Sequence, residues 1–233
     1  VRQNGATLYR VAADGAEQTF VNKSANIYES TDGSGAHDTI KKVGNEWIYI
    51  EGDSLTEIHY DISNDGRLKD IVDKEGNGQH FIYNAAGRLT SVNSDVLVDG
   101  VKQVETSVFN YNGAGLLSSI SLLQGEAQER TTFFYDYDNL GRLQYVYTDL
   151  TSDDGLNRAA DLLDNSAYRI AYAYKDATDK LASITQSDGT IVSFDYYDNG
   201  KIKSVTDGNN QVTTYSYSDS ESKTTLTVGG RTY

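Results

Sequence analysis

The chain has 233 residues and contains no proline, cysteine or methionine, which excludes disulfides, zinc-thiolate clusters, iron–sulfur sites and thiol nucleophiles. Lys and Arg total 20 against 34 Asp and Glu, a formal charge of −14 that repels a phosphate backbone and excludes nucleic acid as the expected partner. No run of 18 apolar residues and no basic-then-apolar start occurs, so neither a membrane span nor a signal peptide is read.

An average chain of this length would hold about a dozen prolines, and strand interiors are where proline costs ladder hydrogen bonds. Apolar residues make up 38 % and aromatic residues 11 %, with 18 tyrosines, which suits many half-buried strands. Val1 falls in mid-pattern, so the chain is expected to be an interior piece of a longer one.

Residues 1–56 read as a diverged β lead-in. Tyr9, the Asp14-Gly15 turn, Tyr28, Asp32-Gly33 and Trp47-Ile48-Tyr49-Ile50 mark strands and turns without a clear repeat. From residue 57 to about 217 one pattern returns six times: an aromatic or Ile, any residue, Tyr, a polar turn, a Gly-Arg-Leu-like step, then a β-branched residue. The copies are Ile58 and Tyr60 to Gly66-Arg67-Leu68 and Ile71; Phe81 and Tyr83 to Gly87-Arg88-Leu89 and Val92; Phe109 and Tyr111 to Gly115-Leu116-Leu117 and Ile120. Then come Tyr135 and Tyr137 to Gly141-Arg142-Leu143 and Val146; Tyr172 and Tyr174 to Asp179-Lys180-Leu181 and Ile184; Phe194 and Tyr196 to Gly200-Lys201-Ile202 and Val205. The anchors Leu68, Leu89, Leu117, Leu143, Leu181 and Ile202 are spaced by 21, 28, 26, 38 and 21 residues. A constant core with variable connections defines a tandem repeat.

Alternation within Phe-x-Tyr puts both rings on one strand face. The Asn or Asp after Tyr, with a glycine shortly beyond it, supplies residues that tolerate the positive φ of a tight turn. The Leu-x-x-Val spacing is odd, so those two side chains are expected on opposite faces unless a bulge intervenes. Further turns at Ser187-Asp188-Gly189-Thr190 and Asp207-Gly208-Asn209-Asn210 make the chain a β-meander. Two insertions interrupt it. At about 94–104, Asp99-Gly100 between apolar strands signals a hairpin; at 149–165, an acidic loop carries Leu156, Ala159, Ala160 and Leu163 at helical spacing. Residues 218–233 continue as strand.

The stretches from Phe81 to Val92 and from Tyr137 to Val146 resemble the YD repeat of the bacterial RHS family, and the likeness covers residues 57 to 217. The resemblance implies a curved antiparallel sheet of tandem hairpins that spirals into a hollow shell. Such shells enclose toxic C-terminal domains in polymorphic and insecticidal toxin complexes, and related repeats occur in cell-surface adhesion proteins. The family's shell usually closes with a proline-containing core motif tied to autoproteolysis. This chain, without proline, cannot carry that motif.

Sites of chemistry are few. His37, His59 and His80 are the only histidines; His59 and His80 occupy different repeat positions and read as strand-face residues rather than catalysts. No serine elbow, phosphate loop or dinucleotide fingerprint occurs. Asp32 to Ile40 and Asp153-Asp154-Gly155 read as Asp-Gly turns, with structural calcium the alternative. The tyrosines read as a half-buried sheet face, with glycan stacking as the alternative. Arg67, Arg88 and Arg142 are expected to tie adjacent hairpins through carboxylates or carbonyls.

The expectation is therefore an all-β, non-enzymatic scaffold segment of a secreted or cell-surface protein, without a cofactor. Its partners would be flanking repeats of the same parent chain and an enclosed toxin domain. A glycan-binding adhesion module is the alternative, and a carboxylate-dependent hydrolase the remote one.

Overall fold

A computed structural model describes all residues except 13, 32–36, 65, 125–129, 151–165 and 219–222. The Asp32-Gly33 turn and the expected helical turns of the acidic insertion lie outside the described residues, as does Asp153-Asp154-Gly155. The rest is all-β, with 21 strands in one open antiparallel sheet; Ile62–Asn64 adds a single 3-10 turn. Among the described residues no helix is long and apolar enough to cross a membrane.

The strands are β1 (Arg2–Asn4), β2 (Thr7–Val11), β3 (Glu17–Ser24), β4 (Ile27–Ser30), β5 (Thr39–Val43), β6 (Glu46–Ile50), β7 (Glu57–Asp61), β8 (Arg67–Val72), β9 (Gly78–Tyr83), β10 (Leu89–Val98) and β11 (Val101–Tyr111). They continue as β12 (Leu117–Gln124), β13 (Arg130–Tyr137), β14 (Leu143–Asp149), β15 (Ala167–Tyr174), β16 (Leu181–Gln186), β17 (Ile191–Tyr196), β18 (Ile202–Thr206), β19 (Val212–Ser218), β20 (Lys223–Val228) and β21 (Arg231–Thr232). Strands pair with their chain neighbours, as a meander does. Two compact units divide the chain: Val1–Phe109 with Leu122–Glu129, and Asn110–Ser121 with Arg130–Tyr233.

In the first unit the lead-in strands roll about their apolar face. Leu8, Phe20 and Ile40 are fully buried, and Tyr28, Trp47 and Tyr49 nearly so, with Ile58 and Tyr60 packed against them. The register puts them on one face: Leu8 opposes Phe20, Tyr28 opposes Ile40, and Ile40 opposes Tyr49. In a flat sheet β3 and β6, three steps apart, would be separated by about 14 Å. Instead the Phe20 and Tyr49 rings meet edge to face at 6.1 Å, and the Arg10 guanidinium of β2 lies 3.8 Å from the Tyr49 ring centre.

The repeats pack differently. Tyr135, Tyr137, Tyr172, Tyr174, Phe194 and Tyr196 share one sheet face and stay half-buried, and among the described residues of their unit no second layer covers that face. The first insertion lengthens β10 and β11 around a two-residue turn, with Asp99 and Gly100 at φ 52° and 78°.

The opposite-face expectation for Leu-x-x-Val gives way to its stated exception. Tyr83 opposes Leu89 and Phe81 opposes Val92, with a register shift between Leu89 and Ser91. The same shift follows Leu68, Leu143, Leu181 and Ile202. One extra residue after the anchor cancels the odd spacing, so anchor and β-branched residue both face the aromatic side.

Replacing fully buried Phe20 with Ala is expected to cost about 3–5 kcal/mol, read as a lowered urea midpoint. An exposed change such as Val11→Ala should leave that midpoint within error.

Candidate functional site

The repeated feature is the seam between successive hairpins, built upward from the turn. The Asn84 amide donates to Arg88 O at 2.9 Å and the Gly87 amide to Asn84 O at 2.8 Å, while Asn84 Oδ1 accepts from the Arg88 amide at 3.0 Å. Asp138 repeats this set with Arg142 and Gly141. The residue after Tyr therefore serves as a hydrogen-bond acceptor, and the positive φ falls on the glycine: 78° at Gly87, Gly115 and Gly141, 69° at Gly66 and 86° at Gly200. The fifth copy, lacking that glycine, places Asp176 at φ 50°. Gly87 has a second reason to lack a side chain, since a Cβ there would displace the Arg67 guanidinium.

Past the bulge, each return strand parts from the next Tyr-bearing strand. β14 and β15 ladder from Tyr145 opposite Ala171 to Asp149 opposite Ala167, which leaves Leu143 and Gln144 outside the ladder. β8 and β9 likewise pair only from Asp70 opposite His80 to Val72 opposite Gly78. A strand carbonyl dropped from a ladder needs another donor. The Tyr174 hydroxyl supplies one to Leu143 O at 2.7 Å, and the Tyr137 hydroxyl supplies one to Leu117 O at 2.8 Å.

The residue after the turn glycine then reaches the ring of the next copy. Arg67 lies over Tyr83 at 5.8 Å, Arg142 over Tyr174 at 4.4 Å, Lys180 over Tyr196 at 5.6 Å and Lys201 over Tyr217 at 5.0 Å, each within cation–π range. Arg142 is further held by Asp138 of its own copy, with Nε and Nη2 at 2.7 and 2.6 Å from Oδ2. Its Nη1 donates to the carbonyls of Asp176, at 3.0 Å, and Thr178 in the next turn. One guanidinium thus joins two copies through a ring, a carboxylate and two carbonyls.

Electrostatics follow from these contacts. Desolvation raises the Asp138 carboxyl, but the donors from Arg142 and Leu140 outweigh it and hold the group below its ordinary value. Burial pushes the Tyr174 hydroxyl up, with Arg142 opposing. Asp73 is held low by the Asn77 side chain and then by backbone N–H donors, and Asp195 chiefly by Lys175.

The signature residues read from the sequence lie in the strands and turns of these hairpins. Tyr60, Tyr83, Tyr111, Tyr137, Tyr174 and Tyr196 lie in β7, β9, β11, β13, β15 and β17, and the anchors Leu68, Leu89, Leu117, Leu143, Leu181 and Ile202 in the strands that return from them. Gly66, Gly87, Gly115, Gly141 and Gly200 sit in the intervening turns, and Arg67, Arg88 and Arg142 directly follow three of them. Lys180 and Lys201, read in the sequence as members of the repeat step but not as ties, join such seams, as does Tyr217. Reading any cation at the position before the anchor, rather than arginine alone, would have found both lysines.

On the opposite face of the first unit, His59, Asp70 and His80 lie side by side on β7, β8 and β9. His59 sits between Glu46 (Nδ1 to Oε2, 3.0 Å) and Glu57 (Nε2 to Oε2, 3.3 Å), and His80 bonds Asp70 at 2.7 Å. Pairing these histidines with carboxylates was not legible from their positions in the repeat. Among the described residues no group of three or more acidic or histidine side chains could hold a metal ion. Asp38, within the stretch from Asp32 to Ile40 suggested for calcium, accepts from the Tyr49 hydroxyl at 2.6 Å and the Gly52 amide at 2.8 Å.

No protein-family model and no curated protein matches the chain. Solved structures do. The TcdB2-TccC3-TEV crystal structure is 12 % identical with a TM-score of 0.38, over 95 % of this chain and 16 % of that one. The TcdB2-TccC3-Cdc42 crystal structure is 14 % identical with a TM-score of 0.28, over 94 % of this chain and 16 % of that one. A structure of the Photorhabdus luminescens Tc holotoxin pore is 14 % identical with a TM-score of 0.27, over 95 % and 16 %. The chain thus spans 16 % of the length of the solved structures it matches.

Arg142→Ala is expected to lower stability by about 2 kcal/mol through the lost ring and carbonyl contacts, and Tyr174→Phe by about 1 kcal/mol, both by urea denaturation. Unchanged midpoints would show that the seam contributes nothing. A pH dependence follows as well. Asp73, Asp138 and Asp195 have depressed folded-state values, so their stabilisation is present above the unfolded carboxylate range of about pH 4 and disappears as pH falls through the folded values. The thermal midpoint should drop with acidification below about pH 4, less steeply in Asp195→Asn.

Proposed function

We propose that the chain is a non-enzymatic wall segment of a secreted or cell-surface YD-repeat protein, forming part of a β-shell around a toxin cargo or part of an adhesive stalk. The observation that supports this most is the use made of its polar groups. Arg142, Asp138 and Tyr174, which a catalytic site would need free, are all spent fastening one hairpin to the next. A repeat array whose units contact mainly their neighbours gains stability from such interfaces, and a continuous hydrogen-bonded sheet is suited to mechanical exclusion.

Under this reading the partners are flanking repeats of the same chain and, in a shell, an enclosed toxin domain. No residue performs catalysis.

Electron microscopy of the natural full-length polypeptide tests the proposal. A closed wall around internal density, or an extended stalk, supports it and chooses between its two forms. Hydrolytic turnover of glycoside or peptide substrates by the purified chain, abolished by an Asp→Asn change, overturns it.

A further inference from the structure

We infer that the seam between the first and second copies is a binding site for a carboxylate, the Asp or Glu side chain of a partner polypeptide, with the Arg67 guanidinium as its receptor. Comparison with the fourth seam defines it. There Arg142 is taken up by the Asp138 carboxylate and two carbonyls of the next turn, and the Tyr174 hydroxyl by Leu143 O. Arg67 and Tyr83 are the corresponding pair, with the guanidinium 5.8 Å from the ring centre. Among the described residues neither the Arg67 guanidinium nor the Tyr83 hydroxyl has a hydrogen-bond or ion-pair partner.

The local cause is the turn. Arg142 follows Asp138 by four residues, which lets that carboxylate reach its guanidinium, whereas Arg67 follows Asp61 by six. Asp61 is spent on its own longer turn: Oδ1 accepts from the Ser63 amide at 2.9 Å and the Ser63 hydroxyl at 2.5 Å, and Oδ2 from the Asn64 side chain at 2.6 Å. Arg67 and Tyr83 line one cavity of about 300 Å³, walled by Leu68 and Phe81. Asn84 lines it too; its Oδ1 is committed to the Arg88 amide, and its Nδ2 has no acceptor among the described residues. Lys69 adds no free charge, because Glu46 and Asp70 hold its ammonium. Burial pushes the Tyr83 hydroxyl up, with Arg67 opposing, so it keeps its proton at neutral pH. The open groups of Arg67, Tyr83 and Asn84 are therefore donors, and half-buried donors call for an acceptor.

One unpaired cation suits a monoanion, and a planar guanidinium matches the two oxygens of a carboxylate. The chain carries its own precedent, since Arg142 is met by an aspartate. Leu68 and Phe81 give the methylene stem of an acidic side chain an apolar wall. A phosphate dianion would meet the Asp61 charge with no second free cation to offset it. The inference stands on seam geometry and does not depend on the shell or stalk reading.

The test is an NMR titration at neutral pH of the chain labelled on tyrosine and arginine. The probe is N-acetylaspartic acid α-amide, with N-acetylasparagine amide as the uncharged isostere and inorganic phosphate and glucuronate as other anions. Tyr83 ring signals, assigned through Tyr83→Phe, and the Arg67 Nε–H signal, assigned through Arg67→Gln, should shift saturably with the aspartyl probe and not with its amide. Arg67→Gln should abolish the shift at Tyr83. Tyr83→Phe keeps the ring and removes one donor, so it should weaken the probe several-fold at Arg67, and it serves if Arg67→Gln does not fold. No shift in the natural chain, an equal shift with the asparagine probe, or an undiminished shift in a folded Arg67→Gln or in Tyr83→Phe would overturn the inference. Tighter binding of phosphate or glucuronate than of the aspartyl probe would also overturn it, assigning the site to a phosphate or an acidic sugar.

Discussion

A single extra residue, seen after Leu68, Leu89, Leu143, Leu181 and Ile202, governs the repeat. Without that bulge, Leu89 and Val92 would lie on opposite faces and the aromatic side would lose half its aliphatic cover. With it, the two align, but the return strand bends and parts from the next hairpin. The parting leaves Leu143 outside the β14–β15 ladder, and the Tyr174 hydroxyl of the following copy donates to its carbonyl instead, as the Tyr137 hydroxyl donates to that of Leu117. Phenylalanine would supply the ring but not the donor. The cleft opened beside that ring is where the arginine or lysine after the turn glycine lodges. Tyrosine, glycine, cation and anchor are therefore one solution to one backbone irregularity, not four independent preferences.

The two kinds of packing in the molecule follow from how each stretch buries its face. In the lead-in, large residues from alternate positions of β2 to β6 converge as the sheet rolls, and Leu8, Phe20 and Ile40 leave water entirely. In the repeats the same aromatic face is only half-buried, so less hydrophobic free energy is available for each residue. The polar seam supplies part of the difference. Arg142 shows how: its charge is distributed over Asp138, two carbonyls and the Tyr174 ring, and its side chain is only 15 % exposed, where such contacts weigh more than at an open surface.

Much of this was legible in the order of residues, because strands and turns are local. Period-two aromatics, glycine at positive φ and the Asp99-Gly100 pair are dictated by sterics within a few residues. The role of the residue after tyrosine was less so: Asn84 and Asp138 act as acceptors for turn amides, a choice that depends on where their side chains turn. Pairings between distant positions were opaque. His59 lies 13 residues from Glu46, and nothing in the spacing announces that a strand register brings them together. Tyr217 escaped notice because its own hairpin lacks the Gly-Arg-Leu step, although Lys201 reaches it as Arg142 reaches Tyr174.

The sequence by itself determined an all-β chain, the six-fold recurrence of its hairpin and the residue types at each recurring position, since these rest on local backbone sterics and side-chain periodicity. Only the tertiary structure decided that the anchor is followed by a bulge and that Arg67, Arg142, Lys180 and Lys201 each serve the next copy's tyrosine. Those are relations between strands. Their physical cause is the hydrogen-bond register between neighbouring chains of a sheet, which no single strand contains.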